Sequence, residues 1–218
     1  TELSPWGRDL AGRPGPIELI EAVCAAAPGL RVRLGSLEPR TITADFCRRA
    51  AALPNLCPHF HLSLQSGCDA TLRRMNRKYD TARYYESVEL LRGFYESPAI
   101  TTDLIVGFPG EDEGEFAQTL DFLRKCAFSS MHIFPYSRRT GTPAAKLLGQ
   151  VPREEKERRA RRARAVAEEM TAAYLSKLVG EELEVLFEEE KGGLWRGHAP
   201  SYVEVWARSE EELHNALR

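Results

Sequence analysis

Strand-like and helix-like segments alternate through residues 1–151, and this order is the feature that most restricts the fold. The strand-like runs are short, and each is followed by a helix-like segment: "RVRLGSL" (31–37), "HFHLSL" (59–64), "AITTDLIVGF" (99–108) and "SMHIFPYS" (130–137). Such alternation favours a parallel sheet covered by helices. A chain of 218 residues, 43% of them hydrophobic, is long enough to bury the core that this sheet needs.

Three helical segments carry apolar stripes that would cover the sheet. The last of them begins near Pro152, which suits the first turn of a helix, and ends at Gly180. The stripes consist of Tyr84, Val88, Leu91 and Tyr95, then Phe116, Leu120 and Leu123, then Ala163, Val166, Met170, Tyr174 and Leu178. We therefore expect an α/β domain over 1–151 and a connector helix over 152–179.

The pattern changes after Gly180 to short strand-like pieces. These are "EELEVLFEEE", "GLWRGHA" and "YVEVWAR", with the turn "KGG" between the first two. Residues 180–218 are therefore predicted to form a small all-β domain of barrel type. Of its aromatic residues Trp195, Tyr202 and Trp206, at least two should be buried in its core.

Charge is distributed unevenly along the chain. Residues 153–164 contain seven Arg or Lys against three Glu, whereas residues 180–218 contain ten Glu against four Lys or Arg. A basic helix face is most often only solvated, but it is also a way to attract nucleic acid. The acidic tail argues against a simple phosphate-binding role for the small domain.

The longest apolar runs fall short of a membrane helix, and no signal-peptide pattern opens the chain, so we expect a cytoplasmic protein. Five cysteines, odd in number and widely spaced, indicate reduced thiols and form no CxxC group. His59 and His61 have no third ligand at a suitable spacing, which disfavours a metal site. Because the chain begins "TELSPWGRDL" without Met, we expect a missing amino-terminal part.

Polar residues follow each strand-like run, where ligands of parallel sheets gather. The segments are "GSLEPR", "LQSGCD", "VGFPGED" and "FPYSRRTGTP", which either bind a ligand or only form turns. In the third, acidic residues fill the first turn of the following helix and repel an anion, which excludes a nucleoside triphosphate loop. Asp103 falls on the inward face with Thr101 and Ile105, as a ligand contact or as half of a structural pair.

Four motifs in series resemble the radical S-adenosylmethionine methylthiotransferases. They are "RVRLGSLEPR", "CPHFHLSLQSGCDATLRRMNRKYD", "ITTDLIVGFPGEDEGEFAQTL" and "HIFPYSRRTGTPAAKL". The resemblance covers nearly the whole chain, and the region after Gly180 is similar to the TRAM domain of these enzymes. "SLEP" and "FPYS" look more like the branch that acts on threonylcarbamoyladenosine in tRNA than the isopentenyladenosine branch.

This resemblance implies a partial (β/α) barrel of radical SAM type, incomplete here, followed by a TRAM domain. The family uses S-adenosylmethionine and two four-iron, four-sulfur clusters to add a methylthio group to an adenosine in the tRNA anticodon stem-loop. One cluster is held by a CxxxCxxC motif, which lies upstream of the region matching "TELSPWGRDL". We therefore expect no cluster in this chain and no activity from it in isolation.

The resemblance also implies roles for individual residues. Candidate contacts to S-adenosylmethionine are Ser36, Glu38, Gln65, Ser66, Asp103, Ile105, Phe134 and Tyr136. Candidate contacts to the tRNA substrate are His61, Arg77, Arg138, Arg158, Arg161 and Arg162. The alternatives are an isopentenyladenosine methylthiotransferase and a non-catalytic RNA-binding module, in which a barrel remnant only presents the small domain and the basic helix.

Overall fold

The computed structural model of the protein describes residues 3, 5–7 and 9–218. Six α-helices and eight β-strands follow one another along these residues. The first part contains α1 (Pro16–Ala26), β1 (Ser36–Leu37), α2 (Ala44–Ala51), β2 (His59–Leu62), α3 (Asp69–Arg74), α4 (Thr81–Phe94), β3 (Ala99–Val106), α5 (Glu113–Cys126) and β4 (Ser130–Pro135). The second part contains α6 (Arg153–Ser176), β5 (Leu186–Lys191), β6 (Leu194–His198), β7 (Glu204–Ala207) and β8 (Ala216–Leu217).

The first four strands form one parallel sheet in the order β1-β2-β3-β4, which confirms the predicted α/β architecture. Each observed strand is shorter than the run that predicted it. The largest difference is at β1, where only Ser36 and Leu37 pair with β2, and Val32 makes a single bridge to Leu56. Arg31 instead points to the carboxyl-terminal part, where its guanidinium binds the main-chain oxygens of Glu184 and His198.

The two faces of this sheet differ in polarity, as the alternation of residues along the strands predicts. On the outer face Phe60, Leu62, Leu104 and Val106 are buried against the helices. Along β3 the buried positions alternate with half-buried ones, which include Asp103 on the other face. Burial of the apolar side chains therefore fixes the register and turns the polar ones toward the interior of the partial barrel.

Helix α6 is more than a connector, because it packs on β4 and α5. Near its start Arg159 is buried and donates to Glu111 Oε2 at 2.8 Å and to the Glu111 main-chain oxygen at 2.9 Å. Glu111 Oε2 also accepts from the Gly107 N–H at 2.6 Å. Removing either partner of an ion pair buried this deeply would leave an uncompensated charge in the interior, which is strongly destabilising. The pair fastens α6 to the segment that follows β3.

The carboxyl-terminal strands form a separate antiparallel sheet in the order β7-β6-β5-β8. Its core consists of Val185, Phe187, Trp195 and Leu213. In the described residues this sheet has two edges, β7 and β8, and does not close into the predicted barrel.

The predicted burial of two of three aromatic residues in this sheet is wrong. Trp195 is buried, but Tyr202 is 47% and Trp206 42% exposed. The register pairs Trp206 with Arg196 on the face opposite Trp195, and Tyr202 precedes β7, so neither ring faces the core.

No helix among the described residues combines the length and the apolar character that crossing a membrane requires.

Candidate functional site

The inward face of the parallel sheet forms the floor of a polar trough, with His61 at its centre. The strand register places His61 beside Ser36 on β1 and Thr101 on β3. Its Nε2 lies 3.3 Å from Asp103 Oδ2, and its Nδ1 lies 3.0 Å from Thr101 Oγ1. A carboxylate only accepts, so the tautomer with its proton on Nε2 suits Asp103 and leaves Nδ1 to accept from the Thr101 hydroxyl.

Of the two roles that the sequence left open for Asp103, the structure shows the pair, and the ligand contact stays a prediction. Asp103 is half of a pair with His61, and its side chain remains 29% exposed toward the trough. A carboxylate oriented by one partner and still open on its other side can accept a hydrogen bond from a ligand. Ser36, His61 and Asp103 are thus brought together on one face.

Gln65 marks the carboxyl end of the trough. Its backbone is left-handed, with φ of 71°, and its N–H and C=O bond to the Asp103 oxygen and the Ile105 N–H at 2.9 Å each. This geometry continues the β2–β3 pairing past the end of β2 and fixes the loop. Ile105 lies next along the same face, where it stays half-buried.

Ser66 is placed differently from its predicted partners. It is fully buried, and its Oγ lies 3.4 Å from Thr119 Oγ1 and accepts from the Cys68 N–H at 3.3 Å. These bonds hold the loop against α5. Ser66 thus holds the loop that carries Gln65. Its predicted contact with a cofactor stays a prediction, and its hydroxyl is already engaged within the protein.

Tyr136 lies beyond the end of β4 and brings an unsatisfied polar atom to the same end of the sheet. Its ring packs edge-on against Phe108, with centroids 5.2 Å apart, and its buried Oη has no hydrogen-bond partner. A buried hydroxyl without a partner is costly, which marks it as a candidate ligand donor. Phe134, on the inward face of β4, is 51% exposed and available to pack on a ring.

Sequence reasoning missed Lys156 as a member of this end of the site. Its Nζ donates to the Tyr136 main-chain oxygen at 2.9 Å, and its side chain covers Gly107. A Cβ at Gly107 would lie 2.2 Å from Lys156 Cγ, and the φ of Gly107 is 71°. The run of basic residues around Lys156 concealed the signal, because nothing in it distinguishes a docked lysine from a solvated one.

The remaining predicted contacts are at the periphery. Glu38 pairs with Arg40 at 2.7 Å, and Arg138 Nε donates to the Ala145 oxygen at 2.9 Å. Arg77 is exposed. Both Arg158 and Arg162 bind Glu113, whereas Arg161 is exposed at the surface of α6.

S-adenosylmethionine fits the trough, because the face offers a carboxylate, an imidazole and hydroxyls beside the orphan Tyr136 Oη. An iron-sulfur cluster does not fit the described residues, which contain no group of three or more His, Cys, Asp or Glu able to hold a metal. The five cysteines are separately buried. Burial raises the pKa of the Cys47 thiol to about 11 and that of Cys126 to about 12, which opposes the thiolate form.

The comparison with protein families gives one match, to the radical SAM superfamily over residues 7–123. A tRNA-2-methylthio-N(6)-dimethylallyladenosine synthase from Frankia alni is 43% identical over 87% of this chain and 38% of its own length. The threonylcarbamoyladenosine tRNA methylthiotransferase MtaB from Thermotoga maritima is 37% identical over 95% of this chain and 47% of its own length. The chain thus spans less than half the length of these curated relatives.

Two solved structures share the fold. Coproporphyrinogen III oxidase from Escherichia coli superposes with a TM-score of 0.52 at 16% identity, over 90% of this chain and 41% of that one. Elp3 from Methanocaldococcus infernus does so with a TM-score of 0.50 at 11% identity, over 77% of this chain and 52% of that one. With the family match over more than half of its residues, the chain belongs to the radical SAM superfamily, and tRNA methylthiotransferases are its sequence relatives there.

Proposed function

We propose that this chain is the S-adenosylmethionine- and tRNA-binding part of a methylthiotransferase that modifies an adenosine in the tRNA anticodon stem-loop. The observation that carries the proposal is the polar trough of Ser36, His61 and Asp103, in a superfamily member whose relatives are tRNA methylthiotransferases. S-adenosylmethionine supplies the methyl group and the radical chemistry when it is bound. The residues of this chain bind and orient it.

The proposed contacts divide between the two ligands by their chemistry. Asp103 and Ser36 accept from hydroxyl or ammonium groups of the cofactor, together with Gln65 and Glu38 at the carboxyl end. Ile105, Phe134 and Tyr136 pack on its adenine, and the Tyr136 hydroxyl finds there the partner that it lacks.

The tRNA contacts are proposed for a second group of residues. His61 faces the target base, and the arginines contact carboxylate or phosphate groups. They are Arg77 and Arg138 near the strand ends and Arg158, Arg161 and Arg162 on α6.

Within the methylthiotransferases we propose threonylcarbamoyladenosine as the substrate. Its modification is polar and ends in a carboxylate, and the floor of the trough is polar too, with His61, Thr101 and Asp103 along it. The relative from Thermotoga maritima that carries this activity in its name aligns with 95% of the chain.

Dimethylallyladenosine tRNA is the second candidate. It is favoured by relatives of that name with higher identity, such as 44% over 78% of the chain in Nocardia farcinica and 45% over 84% in Salinispora arenicola. Its modification is apolar, so it would have to pack on the few exposed apolar side chains of the trough, such as Phe134.

The intact protein, incubated anaerobically with S-adenosylmethionine and each of the two modified tRNAs, distinguishes these substrates. We expect a methylthio product, detected by mass spectrometry of the digested tRNA, only with the threonylcarbamoyl form. Product with the dimethylallyl form alone would reverse the assignment. Binding of either tRNA without any product from a fully reconstituted protein would instead support an RNA-binding module.

A further inference from the structure

A cleft of about 770 Å³ begins at the amino ends of the strands and extends along the inward face of the sheet to Ser36, His61 and Asp103 of the polar trough. Three parts of the chain enclose it: the strand starts, the last turns of α6 and the 201–204 segment of the small sheet. Its lining includes Arg33, His59 and Tyr202. A volume of this size accommodates a nucleotide.

His59 is the buried polar group of this cleft. Its side chain is only 4% exposed, and its Nδ1 has no hydrogen-bond partner. Burial and the nearby Arg33 charge lower the pKa of His59 to about 4, so the imidazole is neutral at physiological pH. A neutral ring nitrogen without a partner is matched by an uncharged group that donates or accepts, such as a ligand hydroxyl.

Arg33 and Tyr202 provide a cation and a ring at the mouth of the cleft. The Arg33 guanidinium carbon lies 3.8 Å from the centroid of the Tyr202 ring. The ring of His198 stacks on Tyr202 at 4.5 Å, and the ring of His59 lies tilted at 5.5 Å. Arg33 is exposed and, among the described residues, has no ion pair with a carboxylate. It can therefore leave the ring to bind an anion while a planar group takes its place on Tyr202.

The backbone holds Tyr202 in this position. Its φ is 63°, in the left-handed region that a tyrosine rarely adopts, and its N–H donates to the Ala199 oxygen at 2.8 Å. The adjacent bond from the Ala199 N–H to the Val203 oxygen, 3.0 Å long, closes the same turn. Strained backbone that the surrounding structure maintains is concentrated at functional sites.

We propose that this cleft binds a nucleoside monophosphate, with a hydroxyl on His59, the phosphate on Arg33 and the base on Tyr202. The cleft shares Ser36, His61 and Asp103 with the polar trough, whereas Arg33, His59 and Tyr202 lie outside the contacts proposed above for S-adenosylmethionine and tRNA. Because both the α/β part and the small sheet line it, an occupied cleft stabilises their contact.

Calorimetry on the 218-residue chain, with adenosine monophosphate as the probe, tests this inference. We expect saturable binding that weakens at least tenfold in both Arg33→Gln and His59→Phe and is unchanged in Arg124→Gln, an exposed control on α5. Adenosine should bind more weakly and be insensitive to Arg33→Gln, and inorganic phosphate alone should bind more weakly still. Circular dichroism and thermal unfolding establish that each variant folds; Arg33 is exposed, so its variant remains informative if His59→Phe does not fold.

Two results would overturn the inference. One is the absence of saturable adenosine monophosphate binding at millimolar concentration. The other is binding that falls with Gln65→Asn but not with Arg33→Gln, because this would place the nucleotide at the carboxyl end. Since neither readout uses methylthio transfer, failure of the proposed enzymatic function would leave both results interpretable.

Discussion

At the scale of single residues, Asp103 shows how strand pairing gives a side chain a partner that the sequence pattern does not name. The two-residue period of β3 predicts that Asp103 shares a face with Thr101, and this is confirmed. The period cannot predict that His61 lies beside Asp103, because that contact depends on the register between β2 and β3. This register pairs His61 with Thr101, 40 residues later in the chain. Sequence pattern gives the face, and tertiary pairing gives the partner.

Replacing Asp103 with Asn should weaken binding of S-adenosylmethionine to the intact protein. The amide keeps the size of the carboxylate but removes its charge and one acceptor, and leaving a buried partner unpaired costs roughly 1 to 3 kcal/mol. Calorimetry measures the effect, with Asp121→Asn on the exposed face of α5 as the control. Equal affinities in the two variants would remove Asp103 from the cofactor site.

Residues that act through burial were the hardest to predict. Ser66 follows Gln65 in a polar loop, and nothing in the sequence indicates that one side chain packs on α5 while the other ends the trough. Similarly, His59 and His61 share a strand face, but the His59 ring contacts Tyr202 whereas His61 pairs with Asp103. Long-range packing decides these differences, and local pattern does not contain it.

At the scale of elements, α6 combines docking with charge. Its predicted stripe packs as expected from Ala163 to Tyr174, while the helix ends at Ser176, before Leu178. The basic run at its start consists of two kinds of arginine. Arg159 is buried on Glu111, whereas Arg161 is exposed, and the sequence shows both as members of one cationic cluster.

Glu155 should make the stability of α6 depend on pH, because both of its arginine partners lie on the same helix. Bonds from Arg158 and Arg159 lower the pKa of Glu155 to about 2, from 4.5. A lowered pKa contributes stability above pH 4.5 that is lost as the pH falls toward 2. We expect Glu155→Gln to be less stable than the parent at pH 7, by about 1 kcal/mol, since such pairs are partly screened by solvent.

Urea unfolding of parent and variant between pH 5 and pH 2 measures this contribution. The two free energies of unfolding should converge as the pH falls through that range. Glu154→Gln, at the adjacent exposed position, is the control and should track the parent throughout. A constant difference between Glu155→Gln and the parent would show that the ion pair does not titrate with folding.

Arg161 should contribute more to the salt dependence of tRNA binding than Arg162, because Glu113 already neutralises Arg162. Losing one phosphate contact reduces the slope of log K against log salt by roughly 0.7 to 0.9. We expect this change in Arg161→Gln, a smaller one in Arg162→Gln, and the largest when Arg158 is replaced as well. Filter binding at several salt concentrations gives the slopes, and three slopes equal to the parent's would mean that α6 does not touch RNA.

At the scale of the whole molecule, the alternation of segments predicted the parallel sheet and the change of fold after residue 180. It did not predict how the two parts meet. Arg31 lies in a strand-like run, yet it binds Glu184 at 2.7 Å and so fastens the sheet to the carboxyl-terminal module. Arg33, which precedes the shortened β1, contacts Tyr202 in the same region. The Arg31–Glu184 contact joins residues more than 150 positions apart along the chain.

The placement of the cysteines over the whole molecule leads to the last prediction, that this chain by itself binds no iron-sulfur cluster. Such a cluster needs several thiolates within bonding distance of one centre. Among the described residues no three of these thiols form a group that could hold a metal. They are Cys24 on α1, Cys47 on α2, Cys57 before β2, Cys68 before α3 and Cys126 at the end of α5. Burial raises the pKa of Cys24 and Cys57 as well, so these thiols stay protonated.

Anaerobic reconstitution with iron and sulfide, followed by an iron assay and visible absorption, tests this prediction. We expect iron at background level, no charge-transfer band, and the same result in Cys68→Ser, which removes the thiol that bonds to Gln118. Stoichiometric iron that is lost in Cys68→Ser would contradict the prediction. It would show that the chain rearranges to bring its thiols together as cluster ligands.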